Sequence, residues 1–223
     1  MSLQDSPSPE PFSGVILAGG FGTRLGRDKA AAEAAGRPLL HWTAEALAAV
    51  SDDIVVVARP GQTLPPPAGA AWRVARDARP EAGPLAGIEA GLGIVRHDLA
   101  IVVATDMPLL VPALLRAVAA ACRDVDVVMP VRDGRPEPLL AAYRRAARAA
   151  ATALLDAGER RPRVLLERLP SRRLDAEALQ AHDGELQSFH NVNTAADLAR
   201  VADLLRDRRS RGAARISPTG GSR

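Results

Sequence analysis

Two stretches of this chain combine residue types that can handle phosphate, and a third carries polar residues with no evident structural use. The run LAGGFGTRLGRDK, Leu17 to Lys29, follows an apolar segment and places paired glycines ahead of Arg24, Arg27 and Lys29. Gly19 and Gly20 let the backbone come close to an anion so that successive N–H groups point at its oxygens, while the cations supply mobile charge. A second stretch, VVATDMP, ends an apolar run on Asp106, where a carboxylate can hold a divalent ion beside phosphate oxygens or, more simply, cap a helix near Pro112. A third, FHNVNT, sets Asn191 and Asn193 just before a helix that Thr194 already caps, so the pair has no evident structural task.

The two commonest phosphate loops do not fit. A Walker loop requires Gly-Lys-Ser/Thr at its end, and a dinucleotide fingerprint requires a third glycine, where this chain has Leu25. For a nicotinamide site the ribose-binding acid would have to be Glu45, which sits within the helical pattern TAEALAAV. No Ser-His-Asp or Cys-His arrangement stands out, and four histidines with one cysteine, Cys122, exclude an internal disulfide and show no zinc-ligand spacing.

These residues need a scaffold that presents strand ends. Short apolar runs at 14–18, 53–58, 72–77 and 99–106 read as buried strands, with helical patterns near 38–50 and 84–95 between them. That alternation predicts an α/β fold: a Rossmann-like, mostly parallel twisted sheet with helices on both faces, in a single domain at 13–205. Farther on, 111–122 is helical, 125–131 is a strand, 137–143 can join the sheet, 144–156 is helical, and 161–176 is open to either pattern. Thr194 and Asp197 form a capping box for a helix over 193–205. In such sheets ligands sit beyond the carboxyl ends of the strands, where residues 18–29, Asp77 and Asp106 all fall.

Composition narrows the class. The sequence pI of 9.9 suggests nucleic acid, yet six arginines against Asp207 alone lie between Arg206 and Arg223, which leaves the body net acidic. The arm at 1–12 is expected to be disordered, and the tail at 206–223 to be disordered or a solvated helix end. With no signal-like start and no long apolar run, the expectation is a cytoplasmic protein that binds neither membrane nor nucleic acid.

Together, L-A-G-G at 17–20, then Arg24, Gly26, Asp28 and Lys29, resemble the signature of the nucleotidyltransferase family that includes the molybdenum cofactor guanylyltransferases. GPLAGI at 83–88, TDMP at 105–108, AGERR at 157–161 and FHNVNT at 189–194 follow in the family's order. The resemblance implies GMP transfer from GTP to the terminal phosphate of molybdopterin, with Mg²⁺ as cofactor. Under it, Lys29, Arg24 and Asp106 are catalytic and Asp106 is the metal ligand. Leu17, Ala18, Gly19, Gly20, Lys29, Asp77, Gly83, Gly87 and Asp106 bind nucleotide, and Asn191, Asn193 and Arg161 bind the pterin.

On the residues alone, Asp77 and the Gly83-Pro84 step are equally turn features, and Arg160 and Arg161 equally solvated. The chain also departs from the family after the second strand, where VVVARPG lacks the usual asparagine and leaves main chain or Arg59 to meet the base. CTP as donor, another phosphorylated acceptor, or a catalytically silent nucleotide-binding domain are the alternatives. Molybdenum-insertion proteins and recipient molybdoenzymes or their chaperones are the protein partners the resemblance implies.

Overall fold

The structure, a computed structural model, describes residues 10–19, 28–79 and 81–216. In chain order its elements are β1 (Phe12–Leu17), β2 (Glu33–Ala34), β3 (Arg37–Pro38), α1 (Leu39–Ala48), β4 (Asp53–Ala58), β5 (Arg73–Arg76), α2 (Pro84–Leu92), β6 (Leu99–Ala104), α3 (Pro112–Ala120), β7 (Val127–Arg132), β8 (Arg135–Pro136), β9 (Leu140–Arg144), α4 (Ala147–Asp156), α5 (Leu165–Arg168), β10 (Ser171–Leu174), α6 (Ala176–Gln180) and α7 (Ala195–Ile216).

Valine and isoleucine runs in β1, β4 and β6 form the centre because β-branched side chains suit a pleated surface buried on both faces. Strand order is β10-β7-β9-β6-β1-β4-β5, with β8 beside β7. All pairings along this path are parallel except those of β9, which runs antiparallel to β6 and β7. Alternation along each strand separates two cores. Ile16, Val56, Ile101 and Val103 pack with Leu47 of α1 and Leu114 and Val118 of α3. Val15, Val57 and Val102 pack with Ile88 and Leu92 of α2 and Ala151 and Leu155 of α4.

Several boundaries differ from the sequence reading. Phe12, placed in the arm, is buried at the start of β1, and Glu10 pairs with Arg144. The segment 161–176 becomes a 3-10 turn at Pro162–Val164, then α5 and β10, whose pairing with β7 depends on a partner distant in sequence. The basic tail follows the helix-end reading, with α7 running as far as Ile216. Tertiary contacts hold its nearer part: Arg208 donates to the Leu109 carbonyl at 3.0 Å, and the Arg209 guanidinium lies 4.5 Å from the centre of the Trp42 ring, which Arg37 also covers. Beneath α7, Val201, Ala202 and Leu205 form a small third core with Trp42, Leu109 and Val192.

Candidate functional site

The carboxyl ends of β1, β4, β5 and β6 share one edge of the sheet, and hydrogen bonds hold the chain exits together. Ala18 N donates to Val57 O at 2.8 Å, Asp77 N to Ala58 O at 3.0 Å, and Thr105 N to Leu17 O at 3.2 Å. On this edge opens a cavity of about 620 Å³, lined among others by Gly19, Arg59, Asp77, Gly83, Gly87 and Asp106. Two glycines are needed for its shape. Gly83, at φ +74°, is the N-cap of α2 ahead of Pro84 and requires the left-handed region; a Cβ at Gly19 would meet Arg59 Cγ at 3.0 Å.

Lys29 lies at the far end of the glycine-rich segment from β1. Its Nζ donates to Asp106 Oδ2 at 2.6 Å and to Asn193 Oδ1 at 2.8 Å. Residues far apart in sequence thus meet at one ammonium group. The third arrives because Val192 is buried and its N–H donates to the Asp106 carbonyl at 2.9 Å, drawing the NVNT segment onto the end of β6. Asp106 is not a cap, since the N-cap position of α3 is Val111. Its Oδ1 is buried and has no hydrogen-bond partner.

Asp77 also lines the cavity. Burial pushes its carboxyl above the usual aspartate range and the Glu89 charge adds to this, while the Arg79 N–H, donating to Oδ1 at 2.8 Å, opposes it. Thr194 and Asp197 make the expected capping box: Asp197 N donates to Thr194 Oγ1 at 3.1 Å and Thr194 N to Asp197 Oδ2 at 2.9 Å.

Other sequence candidates are placed differently. Arg161 sits on the surface with its guanidinium engaged by Glu159, Nη2 to Oε2 at 2.6 Å, and does not line the cavity. Its neighbour Arg160 is nearer, donating from Nη1 to the Glu81 carbonyl at 3.1 Å. Asn191 is exposed. His190 is half-buried because Phe189 and Val192 on either side are drawn inward; it borders a second cavity with Arg132, Asp133 and Glu185. Gly20, Arg24 and Arg27 lie outside the described residues.

Sequence reasoning overlooked Gln62. It is buried, and its carboxamide joins Ala18, Asp28 and Arg59. The sole signal was a glutamine four positions beyond an apolar strand, in the loop where the family's asparagine is missing.

A mostly parallel sheet with Gly19, Lys29, Asp106 and the cavity all on its carboxyl edge defines a nucleotide-handling α/β protein. Comparison with known proteins narrows the class. The family model for the MobA-like NTP transferase domain matches residues 14–174. A relative from Natronomonas pharaonis named "Probable molybdenum cofactor guanylyltransferase" is 38% identical over 86% of this chain and 98% of its own. One of the same name from Chloroflexus aggregans is 35% identical over 87% and 95%. The crystal structure of molybdopterin-guanine dinucleotide biosynthesis protein A from Archaeoglobus fulgidus superposes with a TM-score of 0.75 at 30% identity, covering 88% of this chain and all of that one. The 2-C-methyl-D-erythritol 4-phosphate cytidylyltransferase of Thermus thermophilus, at 21% identity and a TM-score of 0.63, shares the fold. The chain belongs to the MobA-like NTP transferase family and has the nucleotide-diphospho-sugar transferase fold.

Proposed function

We propose that this protein transfers GMP from GTP to the terminal phosphate of molybdopterin, forming molybdopterin guanine dinucleotide and releasing pyrophosphate. The observation that carries the reading is the junction of Lys29, Asp106 and Asn193 at the mouth of the cavity. One ammonium group there touches both the carboxylate beside the nucleotide cavity and the asparagine motif on the acceptor side.

The chemistry asks little of the protein in proton transfer. A phosphate monoester has its second pKa near ~6, so its oxygen is already a nucleophile at neutral pH, and no general base is needed. An acceptor oxygen forms the new P–O bond to the α-phosphorus, and the bond to the bridging oxygen breaks, with the electron pair leaving on pyrophosphate. The protein must align two polyanions and stabilise charge growing on the leaving group. Lys29, Arg24 and the backbone amides of the loop take that role. Asp77 offers a carboxylate to the guanine N1–H and N2–H₂ donors; its burial, unfavourable for a solvated charge, suits it to accept such bonds.

Asp106 fits a divalent cation. Oδ1 is a buried acceptor without a partner, and among the described residues no cluster of three or more acids, histidines or cysteines competes for the ion. A lone carboxylate completed by phosphate oxygens and water suits Mg²⁺, which when bound would neutralise triphosphate charge. Asn193 and Asn191 are assigned to the pterin side. Arg161 is assigned there too, provided it exchanges its Glu159 partner for substrate. Among the described residues no helix is long and apolar enough to cross a membrane.

The test is a panel of the four nucleoside triphosphates with Mg²⁺, following pyrophosphate with and without molybdopterin. Release with GTP alone, and only with acceptor, is expected. Preference for CTP would reassign the donor, and binding without release under every condition would overturn the transferase reading.

A further inference from the structure

Residues 18–28 enclose the segment that carries most of the loop's glycines and Arg24, and the two ends of this loop converge on one side chain. Gln62 lies in the exit from β4, where Gly61 at φ +72° turns the chain inward. Its Nε2 donates to the Ala18 carbonyl at 3.0 Å and to Asp28 Oδ2 at 2.8 Å, while Oε1 accepts from Arg59 N at 3.0 Å. Both N–H bonds of Nε2 are thereby used. Exchanging the amide oxygen and nitrogen would turn all three contacts repulsive, so the orientation is set.

Asp28 is the other half of the connection. Its Oδ1 accepts from Ala30 N at 2.9 Å, and its Oδ2 also accepts from Arg59 Nη2 at 3.0 Å. The backbone that leads into Lys29 is held on both sides of that residue. The same anchor reaches the other end of the cavity, because Arg76 Nη1 donates to the carbonyls of Arg59 at 3.0 Å and Gln62 at 2.9 Å and immediately precedes Asp77.

We propose that Gln62 is a positioning residue that ties Ala18 to Asp28, the described ends of the nucleotide-binding loop, and so holds the adjoining Lys29 in place for a triphosphate. The inference rests on reading residues 18–29 as that loop. With these bonds made before ligand arrives, Ala18, Asp28 and the adjoining Lys29 have less freedom left to lose when phosphate binds. Gln62 touches no substrate. Its effect belongs to the phosphates, because Ala18 and Asp28 bracket the loop while Asp77 has its own hydrogen bond to Ala58.

Gln62→Leu keeps most of the buried volume and removes all three bonds. GTP and guanosine binding to the full chain, titrated calorimetrically in Mg²⁺, should separate: GTP affinity falls about tenfold or more, and guanosine affinity stays within about twofold. A role in packing alone predicts no change with leucine, and general loosening of the site predicts equal loss for both ligands; either result overturns the proposal. Gln62→Glu keeps the length but sets a carboxylate against Asp28 and the Ala18 carbonyl, so its GTP-selective loss should exceed that of leucine. If Gln62→Leu does not fold, Asp28→Asn removes the shared acceptor charge and should give the same selective loss. Wild-type protein that binds neither GTP nor CTP would overturn the nucleotide reading itself, whereas wild-type binding with an unaffected variant would overturn the positioning role alone.

Discussion

Removing the Lys29 ammonium, as Lys29→Ala, tests the junction most directly. The side chain makes two hydrogen bonds, to Asp106 at 2.6 Å and to Asn193 at 2.8 Å, and the exposures of Lys29 and Asp106 are 15% and 13%. A bond between charged groups contributes about 1.5–3 kcal/mol and one to a neutral acceptor about 1 kcal/mol; partial exposure reduces the sum. The variant also leaves Asp106 without a partner on either oxygen, since Oδ1 has none already. A loss of about 1–3 kcal/mol in stability follows, lowering Tm by about 3–10 °C for a domain of this size. Catalysis should suffer separately, because a preorganised donor aimed at developing charge is worth roughly 10²–10³ in rate. The assay is kcat/KM for pyrophosphate release at a temperature where the variant remains folded, paired with a thermal melt. Wild-type kcat/KM together with a lowered Tm would show that Lys29 only braces the site, and the mechanism would lose its central residue.

The remaining predictions concern the base, the surface and the core. If Asp77 reads the guanine edge, wild-type enzyme prefers GTP to ITP, which lacks the 2-amino group, and Asp77→Ala raises KM for GTP about tenfold or more while flattening that preference; an unchanged GTP/ITP ratio would return Asp77 to a turn residue. The side-chain hydrogen bond from Arg161, with backbone N–H groups, holds the Glu159 carboxyl down at about 2. Since the folded value is depressed, any stabilisation is present above the ordinary value of 4.5 and fades as pH falls through about 2. In Arg161→Ala the carboxyl should titrate part of the way back toward 4.5, seen in carboxyl-carbon NMR; an unmoved titration would refute the pairing. Gly91→Ala would put a Cβ at 2.6 Å from Val15 Cγ1 beneath the sheet. It should cost about 1–3 kcal/mol in denaturant unfolding, and a neutral result would mean that α2 shifts freely.

Much of the sheet was legible because β1, β4 and β6 are apolar runs bounded by turn residues, and burial on both faces leaves few other uses for such runs. The antiparallel placement of β9 and the existence of β10 were not legible, since both depend on a neighbour contributed from elsewhere in the chain. In the site, Lys29, Asp106 and Asn193 carried their own chemical signal, and the fold brings them together. Gln62 carried only its place four residues beyond β4: its three bonds involve two backbone groups and one shared carboxylate, which coordinates reveal and sequence does not. Arg161 shows the converse, a promising side chain whose local partner, Glu159, lies two residues away and holds it at the surface.

The hydrogen bond between Lys29 and Asn193 spans 164 positions of sequence. During synthesis from the N-terminus, the residues lining the cavity are all made before Asn193 and the helix that follows it. Val192 must settle on the end of β6, and the third core beneath α7 must form, before Asn193 reaches the lysine. A chain that ends ahead of α7 lacks the packing that brings Asn193 to Lys29. Truncation ahead of α7 would remove Val201, Ala202 and Leu205 from that core, and with them the packing that backs Val192 beside Asn193.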